Sequence, residues 1–314
     1  MCNAHDIITY ATLAKVDPTR TTTLRNAFVR DCRKRFVRLA NDITRLIGKQ
    51  NEMGLEVNAG QFDFPTSQNK VEAFMQWLKT QTDTGLLEIS SANQVGVGLN
   101  DYWTNKYVTD SYQRGVIRAR QEMRKAGLDV PSIDTTGGIG ASMTAPVHLD
   151  RLGVLYTRIF NELKGITENM SGQISRVLTQ GIADGDSPRL LARKLNKVIT
   201  GTGGDLALTD TLGRYIPAKR RAEILARTEV IRAHHMGMVQ EYRNWGLEGV
   251  EVQAEWRTAG DDRVCEQCAG MEGNTYTLDQ IEKMIPVHPQ CRCLALPSML
   301  PDSKAKAIKG GLKI

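Results

Sequence analysis

The 314-residue chain is 41% hydrophobic and 24% charged, enough apolar matter to bury a core and too much for an intrinsically disordered protein. By size it holds about two domains. Aromatics at 6% beside 11 methionines favour an aliphatic helical interior over a β-sandwich, and a net charge of +6 with a pI near 9.0 is a mild bias towards polyanions, far short of a histone-like protein.

Met1–Tyr10 lacks the basic-then-apolar order of a secretory signal, and no stretch approaches the roughly 18 uninterrupted apolar residues of a membrane span. The expected setting is therefore a reducing cytosol, where thiols serve as metal ligands or inert core residues. Cys2 and Cys32 are isolated; the other four cysteines fall in one short segment.

Residues 21–49 read as a long helix, with Leu24, Phe28, Cys32, Phe36, Leu39, Ile43 and Leu46 at spacings of three and four. Arg25, Arg30, Arg33, Lys34, Arg35, Arg38 and Arg45 fill much of the rest. They predict either a solvated face on a packed helix or a basic surface beside DNA or an acidic partner. Helical patterning resumes from Asn69 to about Lys125, broken near Thr82–Gly85 and Asn93–Asn100, and its later stretch runs from Trp103 to Arg124. Residues 129–145 are rich in Gly, Ser, Thr and Pro and read as a linker or extended arm. Leu149–Thr179 again carries apolar residues near a 3.6 period. In Asp184–Leu190, Ser187 fits an N-cap and Pro188 the first position of a short helix to about Val198. Gly201–Gly204 reads as a turn, since no strand precedes it and no Gly-Lys-Ser/Thr follows.

Pro217–Trp245 forms a further helix closed by Gly246. In the strand that follows, Gly249–Arg257, Val250, Val252, Ala254 and Trp256 alternate with polar residues. Cys265-Glu-Gln-Cys268 is a two-residue-spaced chelate, and His288-Pro-Gln-Cys291-Arg-Cys293 supplies further donors about 20 residues on, a spacing known from zinc knuckles. Five donors exceed the four of a closed tetrahedral site. Cys265, Cys268, His288 and Cys291 form the favoured set, with Cys293 as the alternate to His288. A disulfide or redox pair and a catalytic metal with an open position are the competing readings. A structural zinc ion suits the intervening segment Ala269–Val287, which is too poor in apolar residues to hold itself together. Within it Thr277 can cap a helix, Leu278–Met284, stopped by Pro286. Residues 302–314, with Lys304, Lys306, Lys309 and Lys313, look like a loose basic tail.

The fold class expected is mainly α with a small α+β C-terminal module: a helical N-terminal half, a helical middle, then a strand and a Cys/His metal knuckle. The domains expected are a helical N-terminal region (1–128), the linker (129–145), a knuckle-bearing domain (146–300) and the tail (301–314).

Three ordered motifs carry a resemblance: Ala226-Arg-Thr-Glu-Val-Ile-Arg-Ala233, Glu255-Trp-Arg-Thr-Ala-Gly-Asp-Asp-Arg-Val-Cys-Glu-Gln-Cys268 and His288-Pro-Gln-Cys-Arg-Cys293. Together they resemble the phage head morphogenesis family, the minor capsid proteins related to protein F of phage Mu, over about residues 146–298. The resemblance implies a virion component made in the host cytoplasm and built into the head in several copies, in the capsid interior or at the portal vertex. Its implied roles are head assembly and DNA packaging or ejection, with portal or major capsid protein as partners and no membrane. Packaged double-stranded DNA would lie near helix 21–49 and the Lys-rich tail. Relatives can carry toxin or enzyme domains after the shared module. None is expected here, and no enzymatic role is assigned.

Arg227, Glu229 and Arg232 share one helix. Glu229 and Arg232 can pair, and the group reads as a network buttressing the knuckle or as a partner surface. Asp262 is expected to order the turn before Cys265 through backbone N–H groups. His234 and His235 point in different directions and are not expected as ligands. The rival reading, a metal-dependent nuclease or hydrolase with His234, His235 or His288 as base near Glu229 and Asp262, lacks a His-Glu-x-x-His motif and paired carboxylates. A free-standing zinc-containing DNA-binding protein is the third possibility.

Overall fold

The computed structural model describes residues 17–49, 67–89, 102–201, 216–245 and 252–299. Cys2, the expected break at 93–100, the turn residues 202–204, Gly246 and the tail 302–314 lie outside these.

The described chain is mostly helical, with one small sheet. α1 (Thr22–Ile43) runs into a π-helical turn, Thr44–Lys49, and α2 (Ser67–Gln81) into a second, Thr82–Leu87. α3 spans Asn105–Lys125, α4 Gly138–Met143, α5 Pro146–Ala183, α6 Pro188–Thr200 and α7 Ala218–Asn244. β1 (Val252–Arg257), the single-turn α8 (Glu266–Ala269), β2 (Thr275–Thr277), α9 (Leu278–Met284) and β3 (Leu294–Met299) follow. The fold class expected from the sequence is therefore observed.

Two compact units emerge from the contacts. The first takes residues 17–26, 104–156 and 227–299, and the second 27–103 and 157–226. In the second, the apolar stripe of α1 is buried from Phe28 to Ile43. Trp103 stands edge-on to Phe28 at 5.5 Å and donates its indole N–H to the Leu86 carbonyl at 2.9 Å. The α1 cations divide by direction. Arg35 turns inward, stacking over Trp103 at 4.1 Å and pairing with Glu88 at 2.6 Å. Arg30, Lys34 and Arg38 face outward. Ser187 caps α6 by accepting from the Leu190 amide, with Pro188 in the first turn as expected.

The first unit is organised around α7, which is buried on nearly every side from Ala226 to Tyr242. Its partners are α3 and the sheet, ordered β2-β1-β3 with both pairs antiparallel. Ala254 and Trp256 of β1 point inward and are fully buried, so the alternation read in the sequence sets the inner face.

Such a helix holds polar groups where apolar ones are usual, and each needs a partner. Glu241, fully buried, accepts from Arg120, from the Trp245 indole at 2.7 Å and from the Asn244 amide at 3.3 Å. Burial alone would raise its pKa, but the hydrogen bonds from His148, Arg120 and Trp245 hold it below the usual value. Arg120 also donates to the hydroxyls of Thr136 at 2.7 Å and Ser142 at 3.3 Å. These bonds correct the reading of 129–145 as a linker or arm. The segment folds into a 3-10 turn, Asp134–Thr136, and α4, with Val130 and Met143 buried. It is held by one guanidinium and two apolar residues, too few to create a periodic pattern.

α3 and α7 cross with their backbones nearly in contact. A Cβ at Gly115 would lie 2.1 Å from the His234 carbonyl oxygen, and one at Gly237 would lie 2.4 Å from that of Tyr112. The obstacle is backbone, so neither helix can yield locally. Gly237→Ala is expected to destabilise the fold by about 2 kcal/mol or more through overpacking, read as a lower urea midpoint; an unchanged midpoint would show that the crossing is not tight.

Candidate metal centre

The donors are delivered by the two ends of the sheet module. β1 leads into the turn 258–264, and Cys265 then caps α8, its Sγ accepting from the Cys268 amide at 3.4 Å. This is how a Cys-x-x-Cys spacing points both sulfurs to one side. β2 returns the chain to α9, which carries a full capping box: Thr277 accepts from the Gln280 amide while the Gln280 side chain accepts from the Thr277 amide. After α9 the chain reaches His288–Cys293 and re-enters the sheet as β3.

All five sequence-predicted donors come together. The ligating atoms of Cys265, Cys268 and His288 lie within 4.8 Å of one another, and so do those of Cys268, Cys291 and Cys293. Cys268 is the member common to both groups. His288 Nε2 stands 3.3 Å from Cys265 Sγ and 3.1 Å from Cys268 Sγ. Its other nitrogen, Nδ1, lies 2.8 Å from the Pro289 carbonyl, and a proton held there leaves the Nε2 lone pair facing the sulfurs. Donors around a tetrahedral zinc ion stand about 3.3 to 3.8 Å apart, so the cluster is near the size required. Soft thiolates and one imidazole are also the right chemistry for zinc. Cys268, Cys291 and Cys293 are buried against Trp256, Ile281 and Ile285, while Cys265 is exposed.

The electrostatics describe donors crowded for a cation. A hydrogen bond from Cys293 draws the Cys291 thiol down to about 5 against the effect of burial. The same contact, with burial, pushes Cys293 far upward. Burial raises Cys268 to about 12, and the Cys268 amide lowers exposed Cys265. Burial opposes the charged form of His288, yet the Pro289 carbonyl and nearby thiolates raise its pKa. Within the buried pair one sulfur holds a proton against the other. A bound cation would release such protons and replace their hydrogen bonds.

Neighbouring residues fix the arms. Gln290 has φ +64, a conformation side chains rarely adopt. Its amide donates to Thr228 Oγ1 at 3.0 Å, and its side-chain oxygen accepts from Arg227 at 3.3 Å. Arg227 thus buttresses the Cys/His arm directly. Glu229 is buried and pairs with Arg232 at 3.2 Å. The carboxylate expected at Asp262 is displaced by one residue: Asp262 is exposed, and Asp261 orders the turn, accepting from the Arg263 amide at 3.2 Å. Asp261 also takes both terminal nitrogens of Arg292, at 2.7 and 2.6 Å. That fork holds its pKa far below the usual carboxylate range and ties the residue between Cys291 and Cys293 to the turn before Cys265. Asp261, Thr228 and Arg292 escaped the sequence reading; the one available signal was the acid pair Asp261-Asp262, which does not say which member turns inward. His234 and His235 are buried outside the cluster, and desolvation lowers them to about 3 and about 4. His235 Nε2 meets the Ile281 carbonyl at 2.8 Å.

The fold and site thus define a mainly helical protein whose small sheet carries Cys/His side chains grouped as a metal ion would require. Residues 172–296 match the family model described as Phage Mu protein F like protein. That match contains α6, α7, β1, β2, the first half of β3 and all five candidate donors, and it bears out over this stretch the resemblance carried by the motifs. No curated protein and no solved structure matches the chain at comparable stringency.

Asp261→Asn removes the charge from the fork while keeping its size. The expected loss is about 1.5 to 3 kcal/mol, the range for hydrogen bonds to charged groups, measured by urea unfolding. Asp262→Asn serves as the control and should change little; equal losses would contradict the assignment to Asp261.

Proposed function

We propose that this chain is a minor head protein of a phage. In this reading it is a virion component associated with portal or major capsid protein, present in several copies, and active in head assembly and DNA packaging or ejection. The observation that carries it is the gathering of four thiols and one imidazole, in two groups that share Cys268, inside the segment that matches the Mu F-like family. The cluster holds a structural zinc ion through Cys265, Cys268, His288 and Cys291, with Cys293 as the alternate to His288. Three thiolates and an imidazole close the coordination shell and leave no position for a water. The role is therefore structural and non-enzymatic: the ion fastens β1, α9 and β3 into one module, and Arg227, Glu229, Arg232 and the Asp261–Arg292 fork support it.

The helical region 1–128 supplies the contacts with portal or capsid, and the Mu F-like domain 146–300 supplies the clasp. Packaged DNA lies near helix 21–49 and the Lys-rich tail. Among the described residues no helix is long and apolar enough to cross a membrane, in keeping with assembly in the host cytoplasm and residence in the head. The hydrolase reading has little support, because His234 and His235, two of its three candidate bases, are buried away from solvent.

The purified full chain is expected to carry about one zinc per molecule by elemental analysis. Cys268→Ser, which removes the donor common to both groups, should lose the metal and unfold the sheet module; Cys293→Ser should show a milder loss. A map of assembled heads should place the chain against the portal ring or shell. A metal-free wild type would contradict the clasp, and absence from heads would contradict the function.

A further inference from the structure

We propose that the outward face of α1, extended by α6 and the first turn of α7, is a docking surface for the phosphate backbone of duplex DNA. The choice of DNA as the polyanion rests on the head-protein reading; the surface stands on geometry and charge within the second unit.

Arg30, Lys34 and Arg38 recur every four residues and form one exposed stripe. None of the three has an ion-pair partner among the described residues. Like charges at this spacing repel one another along a helix, so the stripe is not arranged for the helix's own stability. Arg33, at its edge, donates to Glu223 of α7 at 3.1 Å, and Glu223 also takes Arg220 at 3.4 Å. The Glu223 carboxylate is almost wholly buried, while the two arginine side chains stay 56% and 48% exposed. One acid thus brings the start of α7 against the middle of α1. That first turn holds Lys219, Arg220 and Arg221 and no acidic residue, although the helix dipole there disfavours cations. At the far end, Thr44 accepts from Asn196 of α6 at 2.6 Å. Arg193, exposed and one turn before Asn196 on the same side of α6, continues the positive surface.

Arg33 and Arg220 share the single acid Glu223, and Arg30, Lys34, Arg38, Arg193, Lys219 and Arg221 have no ion-pair partner among the described residues, so a polyanion would relieve the repulsion these helices carry. Both aromatic residues of α1, Phe28 and Phe36, are buried. This face offers phosphate contacts and no ring on which a base could stack, which favours a duplex over a single strand.

The test titrates the full chain with a fluorescein-labelled mixed-sequence duplex of about 30 base pairs, between roughly 50 and 200 mM salt. Affinity should fall steeply with salt. Arg30→Gln/Lys34→Gln/Arg38→Gln should reduce the logarithmic slope by about 2 to 3 and weaken binding at least about tenfold at the lowest salt. Arg30→Lys/Arg38→Lys should retain binding. The control Arg124→Gln/Lys125→Gln/Lys283→Gln, on the other unit, should leave slope and affinity unchanged. All three variants are checked for unchanged helix content by circular dichroism. Equal weakening by the control, wild-type binding by the stripe variant, or equal competition by polyglutamate per unit charge would overturn the proposal; the last would point to an acidic protein instead. Incorporation into heads is scored separately. A wild-type chain that enters heads but binds no duplex defeats this inference alone, whereas a chain that never enters heads defeats the function on which the choice of DNA rests.

Discussion

Four sulfurs and an imidazole gather where the two ends of a short three-stranded sheet are brought together, beside a small apolar cluster around Trp256, Ile281 and Ile285. β2 has three residues, α8 a single turn and α9 two turns. Elements this short are marginal in water. Three cysteines are buried there beside Trp256, Ile281, Ile285 and two alanines, and Val264, Met271, Tyr276, Leu278, Met284 and Val287 are only partly buried around them. Ligation would add a few short, strong bonds to this small core, and the Asp261–Arg292 fork and the Gln290 contacts hold the two arms in register for it.

The module in turn leans on α7. That helix is buried on nearly all sides, so its polar residues had to find partners: Glu241 with Arg120, Trp245 and Asn244, and His235 with the Ile281 carbonyl. It also had to admit α3 at backbone contact, through Gly115 and Gly237. Thr228 and Arg227 lie on the same helix and reach Gln290. The helix that forms the core of the first unit therefore also supports the donor arm, which links folding of the interior to the geometry of the site.

Much of this was legible in the residues. The 3.6-residue periodicity located α1, α3 and α5; alternation located β1; Ser187-Pro188 and Thr277 marked helix starts. The Cys/His spacing named the five residues that the fold gathers into two groups sharing Cys268. What escaped has a common cause. The cap on the Cys265 turn falls to Asp261 instead of Asp262 because Arg292, distant in sequence, meets that residue. Residues 129–145 are folded because Arg120 reaches Thr136 and Ser142. The tight crossing of α3 and α7 depends on two glycines 122 positions apart, Gly115 and Gly237. Each is a long-range pairing of single residues, and periodicity reports only on neighbours along one element.

The central claim is that the cluster is a closed structural clasp. X-ray absorption at the zinc edge, on the purified 314-residue chain, tests it most directly. The account predicts a four-coordinate ion with three sulfurs at about 2.3 Å and one nitrogen at about 2.0 Å, or four sulfurs if Cys293 replaces His288. An oxygen in the first shell beside two or fewer sulfurs would mean an open site and would contradict it.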